Sequence, residues 1–209
     1  MRQVRVQVST PMTLEAANAQ RGFEKGRLNH MTQVIDLEQG RLLISVKKGY
    51  RNWASRFKEA FGLETRLSGI SFKALSCLAQ GKERETFYFY DLIMNLQNLG
   101  SGFEFNELSP KKKMVVIDQY LFLLDRVRFE CMKRLGWLES YPGEEFTLVE
   151  LITRFDHLAP GLQAEIPVVS RDRPGYKAYS AMNTFDKEAF VRRLIPMALK
   201  EIQDYSTTL

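Results

Sequence analysis

Apolar residues recur at three- and four-residue steps from Ser109-Pro110 to about Trp137. Met114, Ile117, Leu121, Leu124, Val127, Cys131, Leu135 and Leu138 thereby share one face of a long helix. Ser109 is placed to cap it through its side-chain oxygen, and Pro110 supplies a preset φ at the first helical position. Gly136 and Pro142-Gly143 are the stop signals. Val116, Tyr120 and Leu123 widen the stripe and leave only a narrow polar edge of Asp118, Asp125, Arg126, Lys133 and Arg134. A helix so nearly apolar all round belongs at the centre of a fold.

Other segments are shorter. Val4, Val6 and Val8 alternate with Gln3, Arg5 and Gln7, the period of a half-buried strand, and Leu14 to Arg21 is compatible with a helix. Thr32–Leu37 and Leu42–Val46 are β-rich runs joined by Glu38-Gln39-Gly40-Arg41, which predicts a hairpin. Beyond Gly49 the chain turns helical: Tyr50, Trp53, Phe57, Ala60 and Phe61 share a face, Ile70–Leu78 is apolar, and Arg84–Leu99 ends at Gly100-Ser101-Gly102. Thr147 and Glu150 have the spacing of a capping box, opening a helix that Pro160-Gly161 should stop near Leu158. Ile166–Tyr179 reads as a second hairpin or a structured loop, and Phe185–Tyr205 as a last helix kinked or divided at Pro196. The pattern predicts a predominantly α-helical α+β fold, with a small N-terminal antiparallel sheet packed on a bundle of about six helices around the long one. It reads as a single domain over 1–209, with a β-containing subregion 1–49 and a helical subregion 50–209.

Length and composition narrow the class. At 209 residues the chain is long enough to bury a core without staples, and its two cysteines, Cys77 and Cys131, lie in apolar patterns without motif spacing. They read as reduced, buried thiols. The N-terminus lacks a continuous apolar signal segment and no stretch has the length of a membrane span, so a soluble, cytoplasmic protein without membrane association is expected. The formal charge of +5 is unevenly spread: residues 1–60 hold eleven Lys and Arg against five Asp and Glu, whereas 141–209 hold eight against ten. Such a bias suits an acidic protein surface, an anionic small molecule or nucleic acid, and charge alone does not choose among them.

The catalytic vocabulary is thin. His30 and His157 belong to no metal-binding spacing, no phosphate-binding glycine loop occurs, and there is no nucleophile elbow; neither metal nor cofactor is expected. Glu83 and Glu85, Glu144-Glu145, and Asp186 and Glu188 fall at predicted helix starts, where negative charge complements the helix dipole. Lys111-Lys112-Lys113 sits at the opposite kind of place, in the first turn of the long helix, where cations are unfavourable. Lys47, Lys48, Arg51 and Arg56 interleave with Tyr50 and Trp53 as basic and aromatic residues do on nucleic-acid surfaces.

Thr32–Ser45, read as strand, turn and strand, resembles the strand-turn-strand of PilZ cyclic-dinucleotide receptors, with Arg21 and Arg27 upstream. The family's paired arginines become Arg21 and Lys25 here, its serine becomes Glu38, the turn is one residue short, and helices follow in place of a barrel. The resemblance is read as convergence of a hairpin.

The leading expectation is a non-catalytic binding or regulatory protein that recognises a macromolecular partner or a small anionic ligand. Its basic surface would be Lys47, Lys48, Arg51, Arg56, Lys111, Lys112 and Lys113, or the loop carrying Arg171, Arg173, Tyr176 and Lys177. Nucleic-acid binding is the second reading. The third is an enzyme acting on an anionic small molecule, which requires that loop to line a pocket with a carboxylate.

Overall fold

The computed structural model describes residues 37–207, with side chains as far as Gln203. The strand expected at residues 3–8, the helix from Leu14, His30 and the segment 32–36 lie outside the described residues. In chain order the α-helices are α1 (Leu37–Gly49), α2 (Arg51–Phe57), α3 (Phe72–Ala79), α4 (Glu83–Leu96), α5 (Pro110–Arg134), α6 (Leu148–Thr153), α7 (Phe155–Ala164), α8 (Tyr176–Ser180) and α9 (Thr184–Thr207). Single 3₁₀ segments cover Leu67–Gly69 and Gly102–Glu107. The two short strands β1 (Leu138–Ser140) and β2 (Val168–Val169) pair antiparallel, Leu138 opposite Val169 and Ser140 opposite Val168. The fold is mostly helical with a small two-stranded antiparallel sheet.

Helix α5 organises it, packing on α3, α4 and α9. Its buried face keeps most of the predicted stripe: Val116, Tyr120, Leu123, Leu124, Val127 and Cys131 point inward as expected, and Gln119 and Glu130 join them. Met114 and Leu121, expected on the same stripe, are exposed, because periodicity does not fix how far along the helix the covered face extends. Ser109 makes no side-chain cap; the helix starts instead from the Ser109 carbonyl, which accepts from Lys113 N at 3.0 Å, with Pro110 at the first position. One apolar cluster gathers Trp53, Leu75, Phe89, Leu92, Leu123 and Leu148, and a second gathers Met132, Trp137, Leu138, Tyr141, Val169 and Tyr179. Through Val127 and Cys131 in the first and Met132 in the second, α5 joins the two.

Three expectations are corrected. The segment predicted as the hairpin's turn and second strand is the helix α1, with Gly40 inside it, so the local resemblance to a PilZ hairpin has no counterpart over Leu37–Ser45. Leu42, Val46 and Gly49 lie on its inward side, and a side chain at Gly49 would come within 2.9 Å of Leu92 Cδ1 and 3.1 Å of Leu92 Cα. Close helix packing outweighs the β propensity of Leu42-Leu43-Ile44 here. Second, β2 pairs with the distant β1 rather than closing a hairpin, and Tyr176–Ser180 is helical. Third, the helix from Thr147 breaks at Arg154 and resumes through Pro160, and α9 passes Pro196 as one element; each proline removes one helical rung without ending its helix.

The capping box is as predicted. Thr147 Oγ1 accepts from Glu150 N at 3.1 Å, and Glu150 Oε2 accepts from Thr147 N at 2.9 Å. Asn183 and Asp186 make a similar reciprocal pair at the start of α9: Asp186 N donates to Asn183 Oδ1 at 2.9 Å and Asn183 Nδ2 to Asp186 Oδ2 at 2.8 Å. Donation from the Thr147 backbone holds the Glu150 carboxyl below the usual carboxylate range. A carboxylate held low in the folded state stabilises the fold above its unfolded pKa, and that contribution is lost as pH falls through the folded value. Thr147→Ala should cost about 1 kcal/mol, as cap removals do. Glu150→Gln removes the titrating carboxylate, and in urea unfolding its penalty should shrink on acidification below the carboxylate range; a penalty that does not change with pH would refute the coupling.

Candidate ligand-binding cleft

The loop favoured by sequence for anion binding is built largely into the fold. Arg173 Nη2 and Nε donate to the carbonyls of Leu135 and Gly136 at 2.6 and 3.2 Å, tying down the chain where α5 ends. Its guanidinium lies 4.2 Å over the Trp137 ring and 3.9 Å from Glu201, which also accepts from Trp137 Nε1 at 2.8 Å. Arg171 is exposed and loosely paired with Glu139 at 3.8 Å. Tyr176 is half-buried against Tyr179, and Lys177 points to solvent. Arg173 is thus engaged at the end of α5, while Arg171 and Lys177 are exposed.

The second set is split. Lys47, Lys48 and Arg51 lie exposed where α1 meets α2, and Lys48 and Arg51 face a shallow concavity shared with Asp91 and Glu104, where the charges offset one another. Lys111 and Lys112 are exposed at the start of α5, and Lys113 rests 6.0 Å from the Phe105 ring centroid. Among the described residues none of these three lysines forms an ion pair, so nothing there offsets their place at the positive end of the helix. His157 is exposed on α7, and no group of three or more His, Cys, Asp or Glu is gathered to hold a metal among the described residues.

Arg56 is the exception. It stands at the mouth of a cleft of about 510 Å³ between the end of α2, the outer face of α3 and the start of α4. Phe57 closes α2, and Lys58 turns the chain away with a left-handed φ of 59° while its N–H donates to the Ala54 carbonyl at 3.0 Å. Glu59 then reaches the start of α3, where both its oxygens are taken by the backbone N–H and hydroxyl of Ser71, the residue that caps α3 by accepting from Ala74 N at 3.2 Å. From α3 come Lys73 and Cys77, from its C-cap Gln80, and from across the Gly81 turn Lys82 and Glu85.

The lining is chemically divided. Arg56, Lys58, Lys73 and Lys82 are exposed and form no ion pair among the described residues, giving four cations against Glu59, already engaged, and Glu85. Glu85 is only 5% exposed and accepts from the Cys77 thiol at 3.4 Å. Burial, and then the Glu85 carboxylate, push the Cys77 thiol above its ordinary value, against a smaller opposite pull from Arg56. Cys77 is therefore a neutral hydrogen-bond donor and not an activated nucleophile. Gln80 Nε2 is buried without a hydrogen-bond partner among the described residues.

Sequence reasoning reached Arg56 alone. Glu85 lies in the first turn of α4, as expected of a helix-start carboxylate, and it also lines the cleft. A usable signal was the row Lys73, Cys77, Gln80, at steps of four and three, which marks one face of a short helix whose other face, Ala74, Leu75 and Leu78, is apolar. Both cysteines are free, with Cys131 buried and its thiol pushed by burial up to about 12. No helix among the described residues is long and apolar enough to cross a membrane. Comparison with known proteins finds no match to a family model, to a curated protein or to a solved structure, so the function of this cleft rests on its own chemistry.

Proposed function

We propose that this protein is a non-catalytic, cytoplasmic binding or regulatory protein that takes a small anionic ligand in the cleft bounded by Arg56, Lys58, Lys73 and Lys82. The observation that carries the reading is the convergence of four cations without ion-pair partners among the described residues on one concavity whose two carboxylates, Glu59 and Glu85, already accept from Ser71 and Cys77. The volume of about 510 Å³ falls within the range of small-molecule sites. The neutral Cys77 thiol and the lack of a neighbouring histidine in the lining favour binding over chemistry. Two free thiols are in keeping with a reducing compartment.

Titration calorimetry with inorganic pyrophosphate tests this directly. Wild-type protein should bind saturably at low salt and more weakly at high salt, since exposed cations are screened. The double variant Lys73→Ala, Lys82→Ala should weaken binding about tenfold, equivalent to about 1.4 kcal/mol, and Lys177→Ala should leave it unchanged. Because all three side chains are exposed, the substitutions should not disturb the fold. No saturable heat with millimolar pyrophosphate, or equal affinity for wild type and double variant, removes the proposal.

A further inference from the structure

We infer that this protein self-associates head to tail, the outer face of α1 on one copy seated in a groove between α5, α7 and α9 of the next. Helix α1 is apolar on two sides. Leu42, Val46 and Gly49 face its own core, yet Leu43 and Ile44 on the outer side remain 48% and 57% exposed. Arg41, Lys47 and Lys48 stand around them, with Arg51 just beyond, and none of the four forms an ion pair among the described residues. A single exposed leucine needs no account, but adjacent aliphatic side chains ringed by unpaired cations suit a partner that is apolar at its centre and acidic at its edge. Two copies of this face would repel one another, so its complement lies elsewhere.

The same chain carries that complement. Two concavities of about 330 and 730 Å³ share Phe122, Asp125, Gln163 and Arg192, and so form one groove. Phe122, Phe155 and Val191 line it, and Leu121, 52% exposed, stands at its side. Along α5 it runs from Asp118 to Phe129, about 16 Å at 1.5 Å per residue, which accommodates the roughly 10 Å from Arg41 to Lys48. Five carboxylates line the groove against three arginines, and the arginines are taken. Arg126 donates to the carbonyls of Pro142 and Leu162, Arg128 lies 3.9 Å from Asp125, and Arg192 lies 2.9 Å from Glu188. That leaves Asp118, Asp156 and Glu165 exposed and without an ion pair among the described residues, an acidic rim on a chain whose formal charge is +5. Desolvation pushes the Asp125 carboxyl above its ordinary value despite Arg128, so a further cation brought beside it is favoured. A basic apolar ridge and an acidic apolar groove fixed on one body meet only between copies. Each contact then leaves a free ridge at one end and a free groove at the other, so assembly continues into rings or chains.

Sedimentation velocity on the full chain tests this. At low salt the mean mass of wild type should rise with concentration, and high salt should return it to monomer. Lys47→Glu with Lys48→Glu, and separately Asp118→Lys with Asp156→Lys, should each weaken association at least about tenfold. All four side chains are exposed, so neither double variant should disturb the fold. Mixing the two decides the geometry. The first variant keeps its groove and the second keeps its ridge, so an equimolar mixture should form a one-to-one dimer and grow no further. Ile44→Ser should also weaken association, because the ridge seats by apolar contact as well as by charge. Wild type that stays monomeric at about 200 μM in low salt, association that survives either double variant, or a mixture that stays monomeric overturns the inference. None of the substituted residues lines the Arg56 cleft, so both double variants should bind pyrophosphate as wild type does, and the two proposals stand or fall separately.

Discussion

Trp53→Ala is expected to destabilise the fold by about 4–5 kcal/mol, the upper end for truncation of a buried aromatic. Trp53 has no exposed surface, and its ring meets those of Tyr50, Phe57, Phe61 and Phe89 edge-on with centroids 5.3 to 6.4 Å apart. Its Nε1 donates to the Tyr88 carbonyl at 3.1 Å, joining α2 to α4. Alanine would leave four rings facing a void in a close-packed core, and domains of this kind hold only about 5–15 kcal/mol in total. Trp53→Phe, which retains most of the volume and loses the donor, should cost about 1–2 kcal/mol by comparison. Urea unfolding measures both, and a Trp53→Ala protein within 1 kcal/mol of wild type would show that this cluster is not a stabilising centre. Phe57 leans on Trp53, so the alanine variant should also lose ligand affinity in the cleft even where it remains folded.

Arg126→Ala should cost about 3–4 kcal/mol, for reasons of a different kind. Arg126 is 3% exposed on α5, and none of its hydrogen-bond partners is a carboxylate. Its Nη1 and Nη2 donate to the carbonyls of Pro142 and Leu162 at 3.1 and 3.2 Å, tying the turn after β1 and the end of α7 to the central helix. The guanidinium lies 4.6 Å from the Phe122 ring and 5.5 Å from that of Phe129. Burial lowers its pKa, with Asp125 acting in the opposite sense. Alanine would orphan two carbonyls and open a cavity. Methionine would fill the space and remove the cost of burying a charge, leaving only the carbonyls unpaired, so Arg126→Met should recover about half the loss. Lysine keeps the charge but lacks the planar fork that spans both carbonyls. An Arg126→Ala variant within 1 kcal/mol of wild type would mean that the desolvation of the guanidinium cancels everything it ties together.

These two residues also show how unevenly the fold could be read from its sequence. Trp53 was on the apolar face of a recognisable amphipathic segment, and burial followed. Arg126 was grouped with the polar edge of the long helix because charged side chains belong in water; the carbonyls of Pro142 and Leu162, sixteen and thirty-six residues away, together with the rings of Phe122 and Phe129, make its burial tolerable. The Thr147-Glu150 box was legible because both partners lie within four residues. The helix α1 was not, because Leu42-Leu43-Ile44 is compatible with either period and Gly40 mimics a turn; the close contact of Gly49 with Leu92 is a long-range fact. The candidate cleft was legible only at Arg56, since Lys73, Cys77 and Gln80 become a site when Lys82 and Glu85 are folded back across the Gly81 turn.

By itself, then, the sequence determined a mostly helical protein, the extent of its central helix, one capping box, the lack of familiar metal and phosphate motifs, and an excess of positive charge in its first third. Those properties depend on spacing and composition within a few residues. Tertiary structure decided that Met114 and Leu121 of α5 stay exposed, that β2 finds its partner across α6 and α7, that Arg173 and Arg126 are structural, and that four cations share a cleft with Glu85. Each of these is a contact between residues distant in the chain, set by close packing and by the need of buried polar groups for partners, and local pattern carries no record of it.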